Sequence, residues 1–377
     1  MPRMALQNFA HNEERGPMMS HLTKFRQGLA EAGYDAAIIT DKRNQRYLSG
    51  FDFDDGLVLV TQKQSYLITD FRYAEAARAQ TSKELTVVVP EGGMLLCVGG
   101  LLSDNGAKTV ATEDQDMSCA TFRRYSEILK DFTLSGGASE ILSHLRICKD
   151  EAELEIIARA QSVTDAAFAH IIEWIQPEMT EIEVALELEF FMRKNGAEAL
   201  AFDTIAVSGT NSARPHGVPR RCKLEKGFLT MDFGARVDGY CSDMTRTVVL
   251  GKADDEIKKV YNTVLRAQTA ALEAAAEGVS CRKLDTIARD IIHGAGYEGC
   301  FGHSLGHGVG LLIHENPRLS FAAGEKDVLE RGHVVTFEPG IYLEGKYGCR
   351  IEDMACIRPD GSFYDFTKSP KDLIELF

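Results

Sequence analysis

The chain has 377 residues, 44% hydrophobic and 26% charged, which excludes a disordered or collagen-like polymer and predicts two ordinary domains. Its 42 Lys and Arg are outnumbered by 56 Asp and Glu, and the net charge of −14 argues against nucleic-acid or anionic-membrane partners. No apolar run approaches the ~18 residues of a membrane span, so the chain reads as a soluble protein with a sizeable core.

Residues 1–19 contain Glu13 and Glu14 and lack the apolar segment of a secretory signal. They read as a flexible lead, with Met18 or Met19 as an alternative start. From Ser20 onward helices and strands alternate. A helix over Ser20–Ala32 is closed by Gly33. The pattern predicts strands at Asp35–Thr40, Gly56–Thr61, Ser65–Thr69, Leu85–Pro90, Thr109–Thr112 and Phe132–Ser135. Helices are expected at Phe71–Gln80 and Cys119–Lys130. Residues 20–145 therefore form a small α/β domain in which no His, Cys or acid cluster stands out. The nine cysteines contain no CxxC pair, which suits reduced thiols and a cytoplasmic location.

A helical stretch from Ser139 to Trp174 leads into the second domain, residues 146–377. Its charge run, Lys149–Glu153, reads as a solvated helix face at a domain boundary, and Pro177 stops the helix. Thr180–Asn195 opens with the capping box Thr180 and Glu183. A strand at Asp203–Ser208, a loop at Ser208–Pro219 and strands at Phe228–Phe233 and Tyr240–Leu250 follow. Helices at Asp254–Glu277 and Arg282–Ala295 precede strands around Val334–Phe337 and Gly348–Arg358. No solenoid repeat is visible, but each half of this domain contributes a strand-borne pair of acids.

The chemistry concentrates here. In MDFGARVDGYCSDMTRT, Asp232 ends a strand and Asp243 lies on the strand that returns, while Asp238 before Gly239 is a turn residue. In FGHSLGHGVGLLIHE, His303, His307 and His314 sit among glycines that allow close backbone approach. The glycine spacing is not a dinucleotide fingerprint, and there is no P-loop. Glu338 in TFEPGIY and Glu352 in CRIED complete a set of four acids at strand ends, and His216 is a further loop histidine. Arg350 and Glu352 share one strand face, and Asp353 points to the other. Four crowded carboxylates repel, and divalent cations remove that problem. Two metals ~3.5–4 Å apart acidify a bridging water for hydrolysis. An oxygen-rich set with one imidazole suits manganese, cobalt, iron or zinc better than a thiolate-loving metal, and manganese is the expected one. Cys241 shares a strand face with Asp243 but reads as a small buried thiol.

Together these motifs resemble the pita-bread metallopeptidases, the family of the Xaa-Pro dipeptidases, aminopeptidase P and methionine aminopeptidase. The resemblance spans nearly the whole chain. It implies an α+β fold: a C-terminal pita-bread (creatinase/aminopeptidase) domain preceded by a smaller creatinase-type α/β domain. It implies five ligands to two metal ions: Asp232 on one, His307 and Glu338 on the other, and Asp243 and Glu352 on both. His216 and His314 resemble the histidines that contact the scissile carbonyl, and His303 resembles a pocket-wall residue. The extra N-terminal domain argues against methionine aminopeptidase.

The expectation is a dinuclear exopeptidase that cuts between an N-terminal residue and proline through a metal-bridging hydroxide, with Glu338 handling the proton. Small peptides with proline second are its expected partners, and the assembly is expected to be a homodimer. A dipeptidase needs a cation for the substrate's C-terminal carboxylate. Counting back fourteen residues from Glu338, where the stricter dipeptidases carry it, reaches Gly324, with Arg318 and Arg331 nearest. That count points to tripeptides or longer, with Arg350 as a substitute cation. The alternatives are a small-molecule hydrolase or lyase of the same fold, or a catalytically silent peptide-binding relative.

Overall fold

The computed structural model describes residues 19–377, so the expected lead lies outside the described residues except for Met19. The chain divides into two compact units, one ending at Leu145 and one spanning Arg146–Phe377.

In the first unit, α1 (His21–Glu31) starts where the Ser20 hydroxyl accepts the Thr23 N–H. Six strands form one mixed sheet: β1 (Ala36–Ile39), β2 (Gly56–Thr61), β3 (Ser65–Thr69), β4 (Leu85–Val88), β5 (Thr109–Thr112) and β6 (Thr133–Ser135). Their order is β4-β3-β2-β1-β5-β6, with β1 antiparallel to β2 and parallel to β5. The apolar runs of β1 and β2 are buried throughout, as expected of a sheet covered on both faces. Helices α2 (Lys42–Ser49), α3 (Phe71–Gln80), α4 (Met94–Asn105) and α5 (Cys119–Ile128) connect the strands. α4 carries little periodic signal, whereas α2 is amphipathic but only two turns long. α2 is polar and is set by its ends, Asp41 as N-cap and a left-handed Gly50 as C-cap. α4 is apolar almost without interruption.

The long helix expected from Ser139 to Trp174 is two helices, α6 (Ala138–Ile147) and α7 (Glu151–Trp174). The break has a local cause. Asp150 caps α7 by accepting the Glu153 N–H, and Glu153 returns the bond in a capping box. The charge run is accordingly not a solvated helix face, because Lys149 and Glu153 are both buried.

The second unit has two halves of similar construction. α7 and α8 (Glu181–Lys194) pack on a sheet through Phe168, Ile171, Leu188, Met231 and Phe233. That sheet holds β8 (Ile205–Ser208), β9 (Gly227–Phe233) and β12 (Met244–Leu250), with β20 (Glu375–Leu376) at its edge. β7 (Ala199–Leu200), β10 (Ala235–Val237) and β11 (Tyr240–Cys241) form a small sheet beside it. In the other half, α9 (Asp255–Glu273) and α10 (Cys281–Gly294) share a core with Phe301, Val335, Phe337 and Ala355. Its sheet runs β14 (Glu315–Leu319), β13 (Gly306–Gly308), β15 (Val334–Phe337), β18 (Asp353–Ile357) and β19 (Phe363–Asp365). A separate hairpin pairs β16 (Gly340–Leu343) with β17 (Tyr347–Arg350). The fold is α+β. Among the described residues no helix is long and apolar enough to cross a membrane.

The continuous strands expected at Tyr240–Leu250 and Gly348–Arg358 are each interrupted, and each interruption falls at an acid. Asp243 lies between β11 and β12, and Glu352 lies between β17 and β18. In both places the chain passes from one sheet to another.

Candidate metal centre

Strand alternation delivers the first acids. Met231 and Phe233 are buried in the helix-side core, so Asp232 between them faces the other way. Phe337 is likewise in the α9–α10 core, and Glu338 follows it at the end of β15. The Glu338 backbone N–H is held 2.8 Å from the Leu305 carbonyl. Glu352 is tied to β12 twice. Its N–H donates to the Thr245 carbonyl at 3.1 Å, and its carboxylate accepts from the Thr245 hydroxyl at 2.7 Å.

His307 is the middle residue of β13, squeezed between β14 and β15. A Cβ on Gly306 would fall 1.9 Å from the Thr336 carbonyl oxygen, and one on Gly308 would fall 2.1 Å from that of Asn316. Glycine is needed here for the neighbouring strands. The His307 N–H is held by the Thr336 hydroxyl at 3.1 Å.

The His307 ring orientation follows from its contacts. Nδ1 lies 3.1 Å from the Gly308 carbonyl, so Nδ1 carries the proton. Nε2 then presents a lone pair, yet it faces Asp243 Oδ2 at 3.5 Å and Glu338 Oε1 at 3.4 Å. Burial, followed by the charges of His314 and others, holds the His307 pKa at about 3, so the ring is neutral. Three acceptors pointing at one another call for a cation. The acids carry the same strain. Burial and then the neighbouring carboxylates push Asp243 and Glu352 well above the usual range. Burial lifts Glu338 to about 8, with Arg350 opposing and Asp232 adding to the rise. Asp232 Oδ1 is buried and has no hydrogen-bond partner, an expensive arrangement for a carboxylate. Asp243, His307 and Glu352 each offer a ligand atom within 4.8 Å of the others. This donor set, oxygen-rich with one imidazole, fits hard or borderline divalent metals.

Arg350 lies behind the acids. It is 3% exposed, and its guanidinium donates to Asp232 at 2.6 Å, the Tyr342 hydroxyl at 2.7 Å, Thr245 at 3.0 Å and the Pro215 carbonyl at 3.3 Å. His303 is reached through Tyr342. Its Nδ1 donates to the Ser304 carbonyl at 2.9 Å, so its Nε2 accepts from the Tyr342 hydroxyl at 2.9 Å. Burial first, then Arg350, holds the His303 pKa near 4.

The solvent-facing side carries His314, His216 and Arg318, all exposed. The His314 ring stands edge-on to His307 with centroids 4.4 Å apart. His216 lies in the loop after Gly209–Ala213 and interacts electrostatically with His303 and His314. Arg318 pairs with His307 across the β13–β14 ladder and its charge reaches His307, His314 and Glu338. Cys241 is a buried thiol pushed up to about 12 by burial. All the site residues expected from the sequence thus lie in or around one cluster. Sequence reading missed Thr245 and Tyr342, and it set Arg318 aside. Both lie within quoted stretches, Thr245 in MDFGARVDGYCSDMTRT and Tyr342 at the end of TFEPGIY, and nothing beyond that position marked them.

A buried nest of carboxylates around one imidazole lone pair, borne on two helix-backed sheets, is a site built to hold divalent metal. The comparisons agree. Residues 155–359 match the model of metallopeptidase family M24, and residues 21–148 match that of the creatinase/prolidase N-terminal domain. The chain belongs to family M24. An uncharacterised peptidase of Bacillus subtilis, YqhT, is 39% identical over 94% of this chain and 99% of its own length. The structure of an Xaa-Pro dipeptidase from Bacillus anthracis matches with a TM-score of 0.89 at 40% identity, covering 94% of this chain and 99% of the other. An X-Pro aminopeptidase from Thermotoga maritima matches with a TM-score of 0.86 at 39% identity, covering 91% and 98%.

Proposed function

We propose that this chain is an Xaa-Pro dipeptidase working with two divalent metal ions, manganese first. Its relatives include both dipeptidases and an aminopeptidase, and Arg318 favours the former. It is a cation across the ladder from His307 and has no ion pair among the described residues. It suits the C-terminal carboxylate of a dipeptide, which is costly to desolvate unpaired. Arg318 therefore supplies what the count back to Gly324 lacked.

Asp232 would hold one ion, His307 and Glu338 the other, and Asp243 and Glu352 both. When bound, such ions acidify a water and polarise a carbonyl. The chain's own residues do the rest. Glu338 takes a proton on its carboxylate and returns it to the proline nitrogen. His314 and His216 donate hydrogen bonds to the scissile carbonyl oxygen as it gains charge. His303 and Tyr342 form the pocket wall. Arg350 orients Asp232, since its buried guanidinium is already engaged. The enzyme is proposed to be a cytoplasmic homodimer, which light scattering would check in its oligomeric part.

The test is alanine release from Ala-Pro and Ala-Pro-Ala with Mn²⁺, repeated after chelation. Chelator-sensitive release that is faster from Ala-Pro supports the reading. Faster release from Ala-Pro-Ala would make the protein an aminopeptidase. Cleavage of neither, with metal verified in the protein, would end the Xaa-Pro reading.

A further inference from the structure

His314 is poised on His307, yet among the described residues none hydrogen-bonds its ring. Apart from that edge-on contact, its exposed side chain is placed by its backbone. The next residue has the opposite surroundings. Glu315 is buried between two cations, Arg146 from the last turn of α6 and Lys149 from the turn that joins α6 to α7. One carboxylate oxygen accepts from Arg146 and from the Leu312 N–H at 3.0 Å, and the other accepts from Lys149 at 3.2 Å. The three side chains are 6%, 9% and 1% exposed for Glu315, Arg146 and Lys149. Burial works against the Glu315 charge, but Lys149 and Arg146 hold its pKa below the usual carboxylate value.

The loop between His307 and Glu315 is shaped around this contact. A Cβ on Gly310 would lie 2.6 Å from Glu315 Oε2 and 3.0 Å from Lys149 Cε. The Gly310 carbonyl accepts the Cys241 N–H at 2.8 Å, two residues before Asp243. Lys149 is fixed in turn, since its N–H donates to the Gly332 carbonyl at 2.9 Å. A charged pair of this kind is fixed in direction as well as position, because any rotation leaves a buried charge unpaired.

We infer that Glu315, clamped by Arg146 and Lys149, is a positioning residue that holds His314 against the metal centre. The inference rests on the peptidase reading above for the role of His314. It makes the turn between α6 and α7, which touches no substrate, a determinant of turnover.

The test combines Glu315→Gln, His314→Ala and the double variant, with kcat, KM and metal content measured on Ala-Pro. Glu315→Gln should lower kcat by roughly ten- to a hundredfold, the scale of a small misplacement in an active site, with both metals retained. In the His314→Ala background the same change should cost less than about twofold, because the residue it positions is gone. Multiplicative losses would overturn the inference, as would a Glu315→Gln protein of lowered melting temperature and unchanged kcat. Should Glu315→Gln not fold, Lys149→Met leaves the Arg146 contact in place and should give a smaller loss with the same non-additivity; additive behaviour there is equally fatal. A crystal structure of whichever of these two variants folds decides the point without activity. A His314 ring displaced from His307 supports the inference, and an unmoved ring refutes it. If the unaltered protein cleaves no Xaa-Pro peptide, only the functional reading falls.

Discussion

Arg318 stands directly opposite His307 across the β13–β14 ladder, so its side chain shares the face of the imidazole that looks into the metal centre. The pairing puts an exposed cation within electrostatic range of His307, His314 and Glu338.

Arg318→Gln should separate dipeptides from longer peptides. Losing a charge-assisted bond to a carboxylate costs about 1.5–3 kcal/mol, or roughly 10- to 100-fold. The expected result is that loss in kcat/KM for Ala-Pro, with Ala-Pro-Ala changed less than about threefold. Equal losses on both substrates would remove Arg318 from the carboxylate site.

Asp243→Asn and Glu352→Gln should each remove a shared ligand. The loss of metal affinity should exceed the ~100-fold typical of losing a hydrogen-bond partner around a ligand. Elemental analysis after dialysis should find fewer than two metal equivalents per chain, with activity nearly abolished. Two retained equivalents in both variants would rule out the dinuclear assignment.

Metal binding should release protons. In the metal-free protein Asp243 and Glu352 have raised pKa values and Glu338 titrates near 8, so protons occupy sites that a metal must take. Affinity should therefore rise with pH, by about tenfold per pH unit for each proton displaced. Calorimetric titration with Mn²⁺ at pH 6, 7 and 8, in buffers of different ionisation enthalpy, reads the proton count. A pH-independent affinity would contradict the crowding described above.

Acid should destabilise the metal-free protein through His333. The ring is buried, accepts the Glu330 N–H at Nδ1, and is held at a pKa of about 4 by burial and then by Lys149. The unfolded chain takes up that proton near pH 6.5 and the folded chain does not. Stability is therefore intact above about pH 6.5 and falls as pH drops toward 4, by at most about 1.4 kcal/mol per unit. Urea midpoints between pH 7 and 4.5 should slope less in His333→Gln than in the unaltered protein. Identical slopes would exclude His333 as a source of acid sensitivity.

Much of the centre is legible because its residues sit in compact stretches with strong local character. Asp232 is flanked by apolar residues that must face a core, and His307 sits among glycines that nothing but close strand packing requires. Other contacts of the centre depend on partners that no local pattern names. Arg318 was judged by its distance from Glu338 along the chain, which is blind to a ladder that pairs it with His307. Arg350 was offered as a substitute substrate cation once the count back from Glu338 found no arginine. Its engagement by Asp232, Tyr342, Thr245 and Pro215 depends on four segments converging. Lys149 looked solvated in a run of charges, and only the turn after α6 buries it against Glu315.

By itself, the sequence determined what depends on near neighbours: the α+β alternation, the capping boxes, the strand-borne acids, the glycine-flanked histidine, and through them the family. Tertiary structure alone decided which charges meet. Asp243 and Glu352 stand at breaks where the chain changes sheets, and their crowding and the captive Arg350 arise from segments about a hundred residues apart, while His307 and Arg318 meet the centre through strands that are nearer in the chain. The reason is physical. Backbone propensity and side-chain alternation act over a few residues, whereas burial and Coulomb interactions act through space and are settled only when the sheets have packed.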